Sequence, residues 1–264
     1  MVDWKERIAI VSDEAAPSFA EAVRVCLPLG IRAFEVRRLH GKRVPHVSED
    51  AVKEMLAAVS RHDLMLLGIS PGFCKRALDD PAVEDEFESA FPRAFRLMDR
   101  LGVRRMTVFS YQRPERGAPI PARVFDLLGR AAILCQQEGV ELLIENSPQC
   151  WGDTGEHLAK LAHEVGIRVT WDPANAAAAG GEAYPAGYDA VRGRVAHVHL
   201  KNWHPDHGWV YLNEGVADLA GNLCALEAAG YQGYYCIESH RWNDPAATEI
   251  NTRQLLALLK RTGV

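Results

Sequence analysis

Eight short runs of β-branched and aliphatic residues alternate with eight stretches of helical periodicity, a pattern that leaves a doubly wound open sheet or a closed α/β barrel. The runs are 8–12, 33–37, 64–70, 105–109, 140–145, 167–172, 195–200 and 234–238. Between them, apolar residues recur at i, i+3, i+4 and i+7, as in Val52/Met55/Leu56/Val59 and Leu158/Leu161/Ala162/Val165. Asp80-Pro81, Asp244-Pro245 and Asp153 with Glu156 read as helix starts, and Gly30, Gly102, Gly139, Gly166 and Gly230 as helix stops just before a strand. Segment 176–181 reads as a small-residue loop. No Gly-rich phosphate loop follows the first run, where Ser12-Asp13-Glu14-Ala15-Ala16 stands. The 264 residues divide into eight units of 33, the size of a strand plus its returning helix. The expected fold is therefore an α/β (β/α)8 TIM barrel, one domain spanning residues 1–264.

Hydrophobic residues at 48% and charged residues at 25% suit a large buried core and exclude a disordered or collagen-like chain. A net charge of −5 argues against a protein that grips a phosphate backbone. The amino terminus, Met1-Val2-Asp3-Trp4-Lys5-Glu6-Arg7, mixes both charge signs before any apolar run, unlike a signal peptide, and no stretch approaches the roughly 20 apolar residues of a membrane span. Six cysteines without CxxC spacing read as reduced thiols, mostly core filler. A cytoplasmic protein with no nucleic-acid or membrane partner is expected.

In a parallel barrel the carboxyl ends of the strands form the active rim. The last four runs end there in side chains that can bind a metal: Glu145, Asp172, His199 and Glu238, spaced 27, 27 and 39 residues apart. Alternation along each strand turns Glu141, Leu143, Thr170, His197 and Cys236 inward with them, while Leu142, Ile144, Ile167, Val169, Trp171, Val198, Leu200, Tyr235 and Ile237 meet the helices. Three carboxylates and one imidazole suit one divalent ion, Mn²⁺ first, with Mg²⁺, Co²⁺ or Zn²⁺ as alternatives. Such an ion polarises a carbonyl and stabilises an enediolate, with Glu145 and Glu238 as the pair that moves a proton beside it. The bland alternative for each residue alone is a salt bridge on a polar rim.

Other residues near the rim are expected to bind substrate or to support the ligands. His197 lies one layer below His199 and is placed to hydrogen-bond a metal ligand. Lys201, at the mouth, is placed to stabilise an oxyanion. In the basic cluster 35–43, Glu35 and Arg37 share the inward face and are candidates for an anionic or sugar substrate. Glu141 and Arg168, deeper, are expected to form a buried polar network. Trp151, Trp203, Trp209 and Trp242 follow strands, with Trp203 the candidate for stacking on a sugar face, and His240 and Arg241 are further substrate contacts.

The segments Ile-Glu-Asn-Ser-Pro (144–148), Trp-Asp-Pro-Ala-Asn (171–175), His-Val-His-Leu-Lys-Asn (197–202) and Gly-Tyr-Tyr-Cys-Ile-Glu-Ser-His (233–240) resemble the sugar phosphate isomerase/epimerase family of the xylose isomerase-like barrel superfamily. The resemblance implies that Glu145, Asp172, His199 and Glu238 bind the metal and that Glu145 and Glu238 are the acid/base pair. Asn175 stands where ketose epimerases of this family commonly carry a substrate-binding His, and Asn202 where many members carry Asp. The implied activity is isomerisation or epimerisation of a sugar or keto-sugar; the expected partner is a small-molecule carbohydrate, with a homo-oligomer left open. A lyase or dehydratase acting on an inosose or 3-keto-glycoside is the alternative. An endonuclease IV-like nuclease is remote, because runs three and four end in Gly-Ile-Ser-Pro-Gly (68–72) and Val-Phe-Ser-Tyr-Gln (108–112) without histidines.

Overall fold

A computed structural model describes residues 4–115 and 117–262, so Met1, Val2 and Asp3 of the amino-terminal stretch lie outside the described residues. Each expected apolar run supplies one strand: β1 Ile8–Val11, β2 Ala33–Val36, β3 Met65–Ile69, β4 Arg105–Val108, β5 Glu141–Glu145, β6 Arg168–Trp171, β7 Val195–Leu200 and β8 Tyr235–Ile237. Each strand pairs in parallel with its successor, and β8 closes the barrel on β1 through Ile8↔Tyr235, Ala9↔Cys236 and Ile10↔Ile237. Helices α1 Phe19–Cys26, α2 Glu49–His62, α3 Phe91–Leu101, α4 Ala122–Gln137, α5 Gly155–Val165, α6 Pro173–Ala178, α7 Leu219–Ala228 and α8 Ala247–Lys260 follow the strands in turn. The chain is thus a (β/α)8 TIM barrel.

Strand alternation divides the apolar residues as their spacing requires. Leu142, Ile144, Val169, Trp171, Val198, Leu200, Tyr235 and Ile237 join the large core between strands and helices. Ala9, Val11, Ala33 and Cys236 instead form a separate small cluster. Their side chains point into the barrel, where the Thr107 and Thr170 hydroxyls also meet at 3.0 Å. Small apolar residues leave room for the polar side chains of the same inward-facing rows. All six cysteines are unpaired, and only Cys224 is exposed.

Local chemistry sets the helix ends. Ser18, Ser48 and Thr154 accept the first free backbone N–H groups of α1, α2 and α5, and Gly102 and Gly166 close α3 and α5 at φ 67° and 76°. Three expectations need correction. Thr154, not Asp153, caps α5, because the Asp153 carboxylate is engaged by Arg113 and by His157 Nδ1 at 2.7 Å. Residues 176–178 are helical rather than loop, since Asp172 accepts the Asn175 N–H at 2.9 Å, Pro173 follows it and alanines extend the turn. Glu141 and Arg168 do pair, at 2.9 Å, and Arg105 joins them at 3.0 Å, but the network is not buried. It lies at the amino-terminal mouth, where both strands begin and Arg168 is 55% exposed.

Among the described residues, no helix is long and apolar enough to cross a membrane. The β3–β4 side of the barrel is closely approached at one point: a Cβ on Gly68 would fall 2.6 Å from the Arg105 carbonyl oxygen. Gly68→Ala is therefore expected to lower stability by about 1–3 kcal/mol. The check is the urea midpoint at unchanged slope, and an unaltered midpoint would show that the strands separate freely.

Candidate active site

The carboxyl ends of β5 to β8 bring Glu145, Asp172, His199 and Glu238 together, with one ligand atom of each within 4.8 Å of the others. All four residues are buried. His199 Nδ1 points among the carboxylates, 3.3 Å from Glu145 Oε1 and 3.7 Å from Glu238 Oε2, and no hydrogen bond satisfies it. Its other nitrogen, Nε2, donates to Glu35 Oε2 at 3.0 Å. A buried imidazole nitrogen with no hydrogen-bond partner among three carboxylates is a donor set that could hold a divalent cation. The residues present therefore fit a metal ion.

Supporting side chains hold each of these groups. Glu35 Oε2 receives both His199 and, at 2.8 Å, His197 Nε2. Burial raises the Glu35 carboxyl, but the two imidazoles outweigh it and hold the group well below the usual carboxylate range. Burial conversely pushes the His197 imidazole down, towards its neutral form. Around His199, burial is outweighed by the Glu35 and Glu145 carboxylates, which raise the imidazole well above its ordinary value. A cation entering there competes with that proton. Asn146 accepts the Asp172 N–H at 2.9 Å and donates to its carbonyl at 2.8 Å, while Asn175 Nδ2 reaches Glu145 Oε1 at 3.2 Å and the Asn146 carbonyl at 2.8 Å.

Two cations are drawn in by the carboxylates. Lys201 is completely buried, and its ammonium contacts Asp172 Oδ2 and, at 2.5 Å, Glu238 Oε2. Burial lowers the lysine, yet Asp172 and Glu238 reverse the sign and keep it charged. Glu238 is held well below the usual range, because Lys201, His240 and His199 outweigh burial, whereas burial leaves Asp172 raised. Arg37 grips Glu238 Oε1 at 2.6 Å and Glu14 at 2.6 Å, with Asp13 at 2.9 Å. Glu14 in turn accepts from Ser239 Oγ, the His240 backbone N–H and Trp242 Nε1 at 3.0, 2.8 and 3.1 Å, tying the loop after β8 to the end of β1.

A pocket of about 280 Å³ opens over this floor. Glu145, Glu238, Asn175, Lys201, Arg37 and His240 all line it, joined by Trp209 and Trp242 on either side of His240. Four expected substrate contacts are placed otherwise. Glu35 lies behind His199 rather than in the pocket, and Arg37 has its guanidinium saturated by carboxylates. Arg241 is turned away to Asp244 and the Trp209 carbonyl, each at 3.2 Å. Trp203 and Trp209 are paired across a hairpin, Asn202–His204 with Gly208–Val210, and both pack on the core, but only Trp209 also lines the pocket. His197 touches Glu35 and not a ligand directly, and Lys201 is buried rather than at the mouth. Asn202 clasps this loop through Leu212 and Ala217, a task for an uncharged amide. Sequence reasoning missed Asp13 and Glu14, although both follow β1 at the same rim that was searched on the later strands.

The xylose isomerase-like TIM barrel family model matches residues 23–262, and the chain belongs to that family. Solved structures sharing the fold include a probable 3-DHS dehydratase, AsbF, from Bacillus anthracis, at 16% identity and TM-score 0.76 over 96% of this chain and 98% of that one. An L-ribulose 3-epimerase aligns at 20% identity and TM-score 0.72, over 97% and 95%. An IolI protein with a bound zinc atom aligns at 16% identity and TM-score 0.69, over 98% and 96%. A search of curated protein sequences finds no significant match.

If Glu35 orients the imidazole, Glu35→Gln should weaken divalent-cation binding by about 10–100-fold while the fold is kept. Calorimetric titration with Mn²⁺ reads this directly, and undiminished affinity would show that His199 needs no such support.

Proposed function

We propose that the protein is a divalent-metal-dependent isomerase or epimerase of a sugar or keto-sugar, transferring a proton α to a carbonyl. The observation that carries this reading is the bare His199 Nδ1 facing Glu145, Asp172 and Glu238 at the floor of a pocket. These four residues would hold the ion, with Mn²⁺ the first candidate for an oxygen-rich set. When bound, the ion supplies Lewis-acid polarisation of a substrate carbonyl and counter-charge for the oxyanion that proton removal creates.

Glu145 and Glu238 rise from β5 and β8, on different sides of His199, so each can face a different side of a substrate. Glu238 is ionised, the form that accepts a proton, and Arg37 and Lys201 fix its two oxygens. Asn175 fixes Glu145. One carboxylate takes up the α-proton and the other, entering the step protonated, delivers its own: delivery to the opposite face of the same carbon gives epimerisation, and delivery to the neighbouring carbon, with the hydroxyl proton passing to the former carbonyl oxygen, gives isomerisation. Trp209 and Trp242 provide apolar walls against the C–H face of a sugar and limit water at the reacting carbon. The fold neighbours titled as epimerases are consistent with this chemistry.

One observation favours a second reading, elimination of water. His240 lines the pocket with Nε2 3.4 Å from Glu238 Oε1, where an imidazole can protonate a departing β-hydroxyl. The neighbour titled as a dehydratase shares this fold.

Incubating Mn²⁺-loaded protein in D₂O with ketoses, inososes and 3-keto-glycosides tests both. Deuterium should enter at the carbon beside the carbonyl, and Glu145→Gln and Glu238→Gln should each cost about 10²-fold or more in its rate. A product of unchanged mass apart from the deuterium indicates isomerisation or epimerisation, and loss of water or of a glycosidic leaving group indicates elimination. Metal binding without exchange on any of these compounds would refute the proton-transfer reading.

A further inference from the structure

The carboxylates at the pocket floor are matched by cations, but the cations at its mouth are not matched by carboxylates. Directly after β2 the chain makes a hairpin, Arg38–Leu39 against Lys42–Arg43, whose register sets Arg38 opposite Arg43. Like charges directly opposed across two strands repel, so a chain shaped for stability alone would separate them or supply an acid. Both guanidiniums line the pocket, and Lys75, from the loop after β3, joins them with its ammonium 4.0 Å over the Phe109 ring. Among the described residues no carboxylate forms an ion pair with Arg38, Arg43 or Lys75, although most other pocket charges are paired.

Arg43 is built into this place rather than lying loosely on the surface. A Cβ on Gly72 would fall 1.9 Å from Arg43 Nη1, so the guanidinium lies against a stretch of backbone that only glycine leaves open. Burial, followed by the like charges of Arg37 and Arg38, lowers the arginine, and the Asp13 and Glu238 carboxylates, both paired with Arg37, offset this only in part. Two arginines and a lysine that line one pocket with no ion-paired acid of their own offer a recognition site for one anionic group, with forked donors suited to a carboxylate or phosphate.

We infer that the substrate is an anionic sugar derivative: Arg38, Arg43 and Lys75 bind a carboxylate or phosphate at the pocket mouth while the carbonyl end rests on the carboxylate floor. This deepens the proton-transfer reading, on which it rests for the orientation of the substrate. The floor carboxylates are already matched by Lys201 and Arg37, so the unmatched positive charge at the mouth sets the direction of binding. The positive mouth also draws anionic ligands towards a protein of net charge −5.

Calorimetry on Mn²⁺-loaded protein with fructose, its C6 carboxylate and its 6-phosphate tests the inference, since the three differ only at the end expected to meet the cations. At least one anion should bind about tenfold or more tightly than fructose, and the preferred arm identifies the group. Arg38→Gln and Arg43→Gln should each reduce that preference and together abolish it, with Mn²⁺ stoichiometry unchanged. Equal or tighter binding of fructose, no binding of either anion, or a preference that survives in the double variant would overturn the inference. Deuterium exchange read on the same samples separates the two proposals. Anion preference without exchange keeps the binding site and removes the proton transfer, and exchange without anion preference does the reverse.

Discussion

The hydrogen bond from His199 Nε2 to Glu35, 3.0 Å long and wholly inside the barrel, is the interaction on which the site depends. By occupying one imidazole nitrogen it leaves the other bare and aims it at Glu145, Asp172 and Glu238. His197 completes the device from below by filling the same Glu35 oxygen. The small residues Ala9, Ala33 and Cys236 leave the barrel interior open for this polar stack. The fold supplies a rigid tube, and the stack uses it to place one nitrogen.

Charge balance explains why so many ionised groups tolerate burial together. Three carboxylates around a divalent ion would leave one negative charge uncompensated, and the Lys201 ammonium, in contact with two of them, would offset it. Arg37 is likewise shared among Glu238, Glu14 and Asp13. Removing one partner from such a group strands the rest in a medium that solvates charge poorly, so the cluster stands or falls as a unit. Glu14 extends that unit to the Ser239–Trp242 loop, linking the acidic floor to the aromatic wall.

The barrel and the four converging residues were legible in the sequence because both follow from short-range regularities. Strand alternation decides which side chains face inward, and the rim position of Glu145, Asp172, His199 and Glu238 follows from where each apolar run stops. Partnership across long separations was not legible in the same way. Arg37 and Glu35 lie correctly on the inward face, but their partners Glu238 and His199 are 201 and 164 residues away, and only the closed barrel shows that these bonds consume them. Which of the paired Trp203 and Trp209 reaches the pocket depends on how the hairpin lies over the barrel, and the position of Arg241 on a local acid, Asp244. Asp13 and Glu14 were within reach of the strand-end rule, which was not carried back to β1.

His199 has candidate ligand groups on both of its nitrogens: Glu145, Asp172 and Glu238 around Nδ1, and Glu35, His197 and Cys236 around Nε2. In the proposed site the cation takes the first and a hydrogen bond the second. Anomalous diffraction from crystals equilibrated with Mn²⁺ decides between them in one map. The predicted result is a single peak within bonding distance of His199 Nδ1 and the three rim carboxylates, with the His199 to Glu35 bond intact. A peak on the Nε2 side, or none at full Mn²⁺ exposure, would contradict it.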